Sequence, residues 1–212
     1  LLDWTVEKFH DRNLGRPRSF CAGFYATSVP LQKAIVSTGF NVSAAAFPWG
    51  VKYGRKYAPA WEALSGWNET VRHTTRPYPV SAKSILPGGN PPYLTGDVGL
   101  LIEVPQTCKI DWMVSAADLK AIFRDHLELA QSGMSSAVCF AMHEQLASEH
   151  AEKFDDVLTF VDGHLDSARG VLVRYLTFSE LRQEFLKRLP TPDSTRKKIR
   201  QLKTRGATVF EN

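Results

Sequence analysis

The residue best placed to move a proton is His143. It follows the apolar run Val138-Cys139-Phe140-Ala141-Met142, which reads as a buried strand. The imidazole therefore stands at a strand's carboxyl end, where parallel α/β folds present reactive groups. Imidazole gives and takes a proton near neutral pH, which suits general acid–base chemistry. The plainer reading is a histidine that only closes the strand. Asp111-Trp112 falls in the preceding strand–helix loop, on the same predicted face. A carboxylate there can hold the imidazole in one tautomer and stabilise its charged form; the indole can wall a small pocket. The alternative is a turn Asp above a packed Trp. Phe20-Cys21-Ala22-Gly23-Phe24-Tyr25 ends the first predicted strand. Gly23 permits close backbone approach, and backbone N–H groups at such an end can stabilise an oxyanion. The aromatics suit a sugar groove or an ordinary core. No metal ligand set is legible. His143 and His150 would stand ~10 Å apart along a helix, too far to share an ion. His10, His73, His126 and His164 have no ligand-like spacing.

These residues need strands that end together, and the hydrophobic periodicity supplies an alternation of helices and short strands. Leu2, Val6 and Phe9 share one helical face. Ser19 to Ala22 reads as a strand. Ser28 caps a second helix with Pro30 in its first turn and Gly39 just past its end. Leu31, Ala34, Ile35 and Thr38 are its predicted buried face. Phe40 to Phe47 and Leu100 to Val104 read as buried strands. Ser115-x-x-Asp118 and Thr177-x-x-Glu180 are capping boxes that open helices running to Gly133 and Pro190. Between them lie the predicted strands 137–142 and 171–176 and a polar helix over 146–168. Residues 48–97, rich in Pro, Gly, Tyr and Trp, read as a long irregular insertion. Strand–helix alternation implies parallel pairing with right-handed crossovers. The absence of a Gly-x-Gly-x-x-Gly fingerprint or phosphate-cradling loop argues against a nucleotide-binding open sheet.

The 212 residues suffice for a substantial core, and no apolar run approaches the ~20 residues of a membrane span. The net charge of +4 is uneven. Residues 187–205 hold eight basic groups against Asp193, so the body is mildly acidic. The reading is a barrel over 1–189 and a basic tail over 190–212. The tail is expected to be a solvated terminal helix. No nucleic-acid motif accompanies it, and no nucleic-acid partner is expected. Cys21, Cys108 and Cys139 are too scattered for a disulfide framework and read as buried thiols.

The motif order resembles the polysaccharide deacetylase (NodB-homology) family. Ser19 through Tyr25, followed by Leu31 through Phe40, is similar to its Phe-Arg-Ala-Gly stretch. Asp111-Trp112, Phe140-Ala141-Met142-His143 and Tyr175 through Leu181 follow in the family's order, and the likeness covers about 17–188. It implies part of a distorted (β/α) barrel and a hydrolase of non-peptide C–N bonds, removing acetyl from an N-acetyl sugar or cleaving a related amide. His143 would be the catalytic acid and Asp111 its orienting partner. The Phe24 backbone N–H would help stabilise the oxyanion; Tyr25, Trp112 and Phe140 would contact substrate. Family enzymes bind a divalent, zinc-like metal through an Asp and two His. Those ligands precede the first motif found here, so no metal is expected in this chain alone. The resemblance thus implies an upstream segment or companion chain completing the barrel. Cys21 stands where the family carries an Arg, and a thiol cannot supply its bidentate charge. The alternative is an inactive carbohydrate-binding or structural barrel module.

Overall fold

The computed structural model describes residues 1–48, 67, 70–107, 114–143, 145, 147–165 and 170–189. Asp111, Trp112, Cys108 and the basic tail lie outside them.

The first helix, α1 (Leu2–Asp11), buries no residue; Leu2 and Val6 lean on the core while Phe9 is exposed. Strand β1 (Ser19–Phe20) leads through one 3-10 turn (Gly23–Tyr25) into α2 (Val29–Ser37). The Ser28 hydroxyl accepts the Leu31 N–H at 3.3 Å, Pro30 lies in the first turn, and Gly39 takes φ +89° past the end. The punctuation is as predicted, but the buried face is rotated. Gln32, Ile35 and Val36 are buried and Ala34 is exposed.

Strand β2 (Val42–Ser43) pairs in parallel with β1, Ser19 opposite Val42 and Phe20 opposite Ser43. It also pairs in parallel with β6 (Ile102–Glu103), Val42 opposite Ile102 and Ser43 opposite Glu103. The insertion is not irregular throughout. Its β3 (Tyr78–Pro79) joins β6 antiparallel, and β4 (Thr95–Gly96) forms a hairpin with β5 (Gly99–Leu100). The sheet order is β1-β2-β6-β3, parallel except at β3. Pro79 fits there because an edge strand tolerates a missing N–H.

Alternation along β2 and β6 divides the sheet's two faces. Val42, Ile102 and Val104 pack against Phe178, Leu181 and Phe185 of the last helix, α5 (Phe178–Leu186). Leu101 joins Ile35 and Val36 beneath α2, and the side chains of Ser43 and Glu103 lie on this α2 side. Truncating a fully buried residue such as Ile35 would cost ~2–5 kcal/mol through lost transfer energy and the cavity left.

Helices α3 (Ala116–Gln131) and α4 (Ala147–Asp162) pack through Leu119, Ile122 and Val157. His126 of α3 ties this pair to the rest of the chain: one ring nitrogen meets the His73 carbonyl at 2.6 Å, the other the Ser136 hydroxyl at 2.5 Å. Burial lowers its pKa, so it serves as a neutral structural bridge.

The fold is mixed α/β. The predicted strands 137–142 and 171–176 form no ladder, and contrary to the expected burial of 137–142 both segments are half-buried or exposed. The described ladders make a four-stranded sheet and a separate hairpin. An apolar run by itself fixes neither burial nor pairing; a ladder needs a neighbour in register.

Candidate active site

The parallel strands β1, β2 and β6 end side by side, and a polar network ties their exits together. Its centre is Glu103, a fully buried carboxylate. Its Oε1 accepts the N–H of Ala45 at 2.8 Å and of Ala46 at 2.7 Å, clamping the chain as it leaves β2. Its Oε2 has no hydrogen-bond partner among the described residues. Burial pushes the carboxyl up to about 7, against the two amides and the nearby Ser43 and Gln32, which favour the charged form. Hydrogen bonds to a charged group contribute ~1.5–3 kcal/mol each, whereas desolvating a carboxylate costs several kcal/mol. The upward shift shows that desolvation wins.

Around it, Gln32 donates to Thr27 Oγ1 at 2.9 Å and Ser43 Oγ at 3.0 Å. Cys21 Sγ points to the Ala44 carbonyl at 3.2 Å, and Gln106 Nε2 donates to the same oxygen at 3.0 Å. Gln106 Oε1 in turn accepts from Cys139 Sγ at 3.3 Å. A line of contacts thus runs from the exit of β1 through β2 and β6 to the segment carrying His143. Contrary to expectation, Cys21 is an exposed residue, although its sulfur is turned inward. Burial, then the Glu103 charge, pushes its thiol up to about 11, so it is a neutral donor and not a nucleophile at neutral pH. Tyr78, opposite Glu103 on β3, donates to the Ile85 carbonyl at 2.8 Å; burial and Glu103 hold its pKa well above 10.0.

His143 is exposed, four residues beyond Cys139, whose N–H and C=O bond Thr107. Phe24 sits in the 3-10 turn, whose bonds run from Tyr25 N–H to Ala22 and from Ala26 N–H to Gly23. Such a turn does not use the Phe24 N–H. Tyr25, at φ +55°, stacks on Phe47 with ring centroids 4.1 Å apart, and its carbonyl accepts Trp67 Nε1 at 2.8 Å. The structure therefore brings Phe24 and Tyr25 to the strand ends. Phe140 instead packs against the α3–α4 core. No three His, Cys, Asp or Glu side chains converge to hold a metal ion among the described residues.

Sequence reasoning missed Glu103 because it lies inside an apolar strand. The available signal was the carboxylate itself: a charge in a buried run must have partners or an altered pKa.

Comparisons with family models, with curated proteins and with solved structures find no match.

Proposed function

We propose that the chain is the C-terminal part of a (β/α) barrel hydrolase that cleaves amide C–N bonds of N-acetyl sugars or related amides. The observation that supports it best is the gathering of the exits of β1, β2 and β6 around Glu103, with the His143 segment tied on through Gln106 and Cys139. In this reading His143 protonates the leaving amine, Asp111 orients it, and the Phe24 N–H faces the developing oxyanion. Tyr25 and Trp112 line the acyl and sugar contacts. Glu103 does not touch substrate; it positions the backbone that carries Phe47 and, through stacking, Tyr25. A metal-bearing segment outside these 212 residues would supply water activation.

The test is amine release from N-acetylchitooligosaccharides by the polypeptide or complex in which the chain is made. His143→Ala should lower turnover by ~10²–10⁴-fold, the usual share of a positioned acid, with unfolding unchanged. An unchanged rate in the folded variant removes His143 from the mechanism. Sugar binding without turnover would favour the carbohydrate-binding module instead.

A further inference from the structure

Between the α3–α4 pair and α5 the molecule opens into a cleft of about 910 Å³, whose lining includes residues 135–138, Phe140 and 170–176. Both segments lie outside helices and ladders, Gly170 in a bend. From Leu172 to Leu176 no backbone group bonds another described residue. Cys139 directs both its N–H and C=O to Thr107. The backbone groups of Val138 and Phe140 bond no other described residue. Both of those residues line the cleft and Cys139 does not. Among the described residues, Val138, Phe140 and 172–176 thus offer backbone donors and acceptors without a partner at the border of one space. Four large exposed apolar side chains also collect here: Leu158, Leu172, Tyr175 and Leu176, with Leu172 63% exposed. Such concentration on one surface marks an interaction site. At one end the rim is basic. Arg76 donates to the Ser135 carbonyl at 2.7 Å and Arg188 to its hydroxyl. The rim carboxylate Glu184 is engaged by Lys187 at 2.8 Å and Arg174 at 3.7 Å.

We propose that this cleft is a strand-docking site: it takes an extended, largely apolar peptide segment from another polypeptide, with a carboxylate at the Ser135 end. Main-chain hydrogen bonds supply affinity, alternate apolar side chains fill the cleft, and Arg76 with Arg188 fixes the direction of the strand. The inference is independent of the hydrolase reading.

The test uses the full 212-residue chain and a pool of labelled peptides of about eight residues, alternating Val or Ile with Thr and ending in Glu. Binding is followed by fluorescence anisotropy. N-methylating alternate backbone nitrogens on the docking edge should weaken binding by about tenfold or more, because several hydrogen bonds go unmade. Replacing the terminal Glu by Gln should weaken it several-fold. Leu172→Asp, at an exposed position, should abolish binding and leave cooperative unfolding intact. Absence of binding at about millimolar peptide, or equal binding by the N-methylated pool, overturns the proposal. Laurate binding the cleft while peptides do not would identify an acyl pocket and overturn it as well.

Discussion

Glu103 shows how far one side chain can diverge from its sequence context. Its carboxyl rises from 4.5 to about 7 on folding, so between those values the native state holds a proton that the unfolded chain has lost. Stability is therefore highest below about pH 4.5 as far as this group is concerned, falls as pH rises towards 7, and levels off above. The full span corresponds to roughly 3 kcal/mol. Glu103→Gln keeps an acceptor for Ala45 and Ala46 but stays neutral. Urea unfolding at pH 5 and pH 8 should show the wild type losing stability relative to this variant; parallel pH profiles would refute the buried carboxyl's role. The same charge reaches Cys21. In Glu103→Gln, alkylation of Cys21 at pH 8, followed by peptide mass mapping, should quicken because one of the two causes of its raised pKa is gone.

Helix ends are the elements whose sequence signals proved most literal. Ser115 and Asp118 exchange both capping bonds, and so do Thr177 and Glu180. Ser115→Ala and Thr177→Ala should each cost about 1 kcal/mol in denaturant unfolding, since each orphans a helix N–H. Gly39→Ala should cost at least as much: φ is +89°, and the added methyl would meet the Arg16 guanidinium. Arg16 can swing aside, so an Arg16→Ala background should recover little. Full recovery would place the cost in the contact and not in the backbone. Strand ends were less legible. Phe40 to Phe47 is buried as the apolar run predicts, yet only Val42–Ser43 forms a ladder. Burial is written in side chains, whereas pairing depends on what lies alongside.

Across the molecule, helices cover both faces of the small sheet, α2 over Leu101 and α5 over Val42 and Ile102. Arg182 locks α5 in place, donating to the Leu100 carbonyl at 2.9 Å and that of Val98 at 3.3 Å. A chain ending after Leu189 retains these contacts and should unfold cooperatively at nearly the full-length midpoint in calorimetry. A broad or lowered transition would show that residues 190–212 contribute to the packed body. Arg182→Ala should instead destabilise the molecule, since it leaves the Val98 and Leu100 carbonyls without that donor.

The sequence by itself determined what depends on near neighbours along the chain: the two capping boxes, the Ser28 cap, the Gly39 stop and the order of helices and extended runs. Each is settled within about one helical turn, so no distant residue can overrule it cheaply. Tertiary structure decided which face of α2 turns inward, because Gln32 finds Thr27 and Ser43 there. It decided that part of the insertion returns to the sheet as antiparallel β3. It left 137–142 and 171–176 without ladders, and it made Glu103 the centre of the strand exits. Apart from the Gln32–Thr27 bond, five positions apart, those outcomes rest on partners 11 to 60 positions away, brought together only by folding. Burial, register and electrostatic environment are properties of such long-range neighbours, and a local pattern carries no record of them.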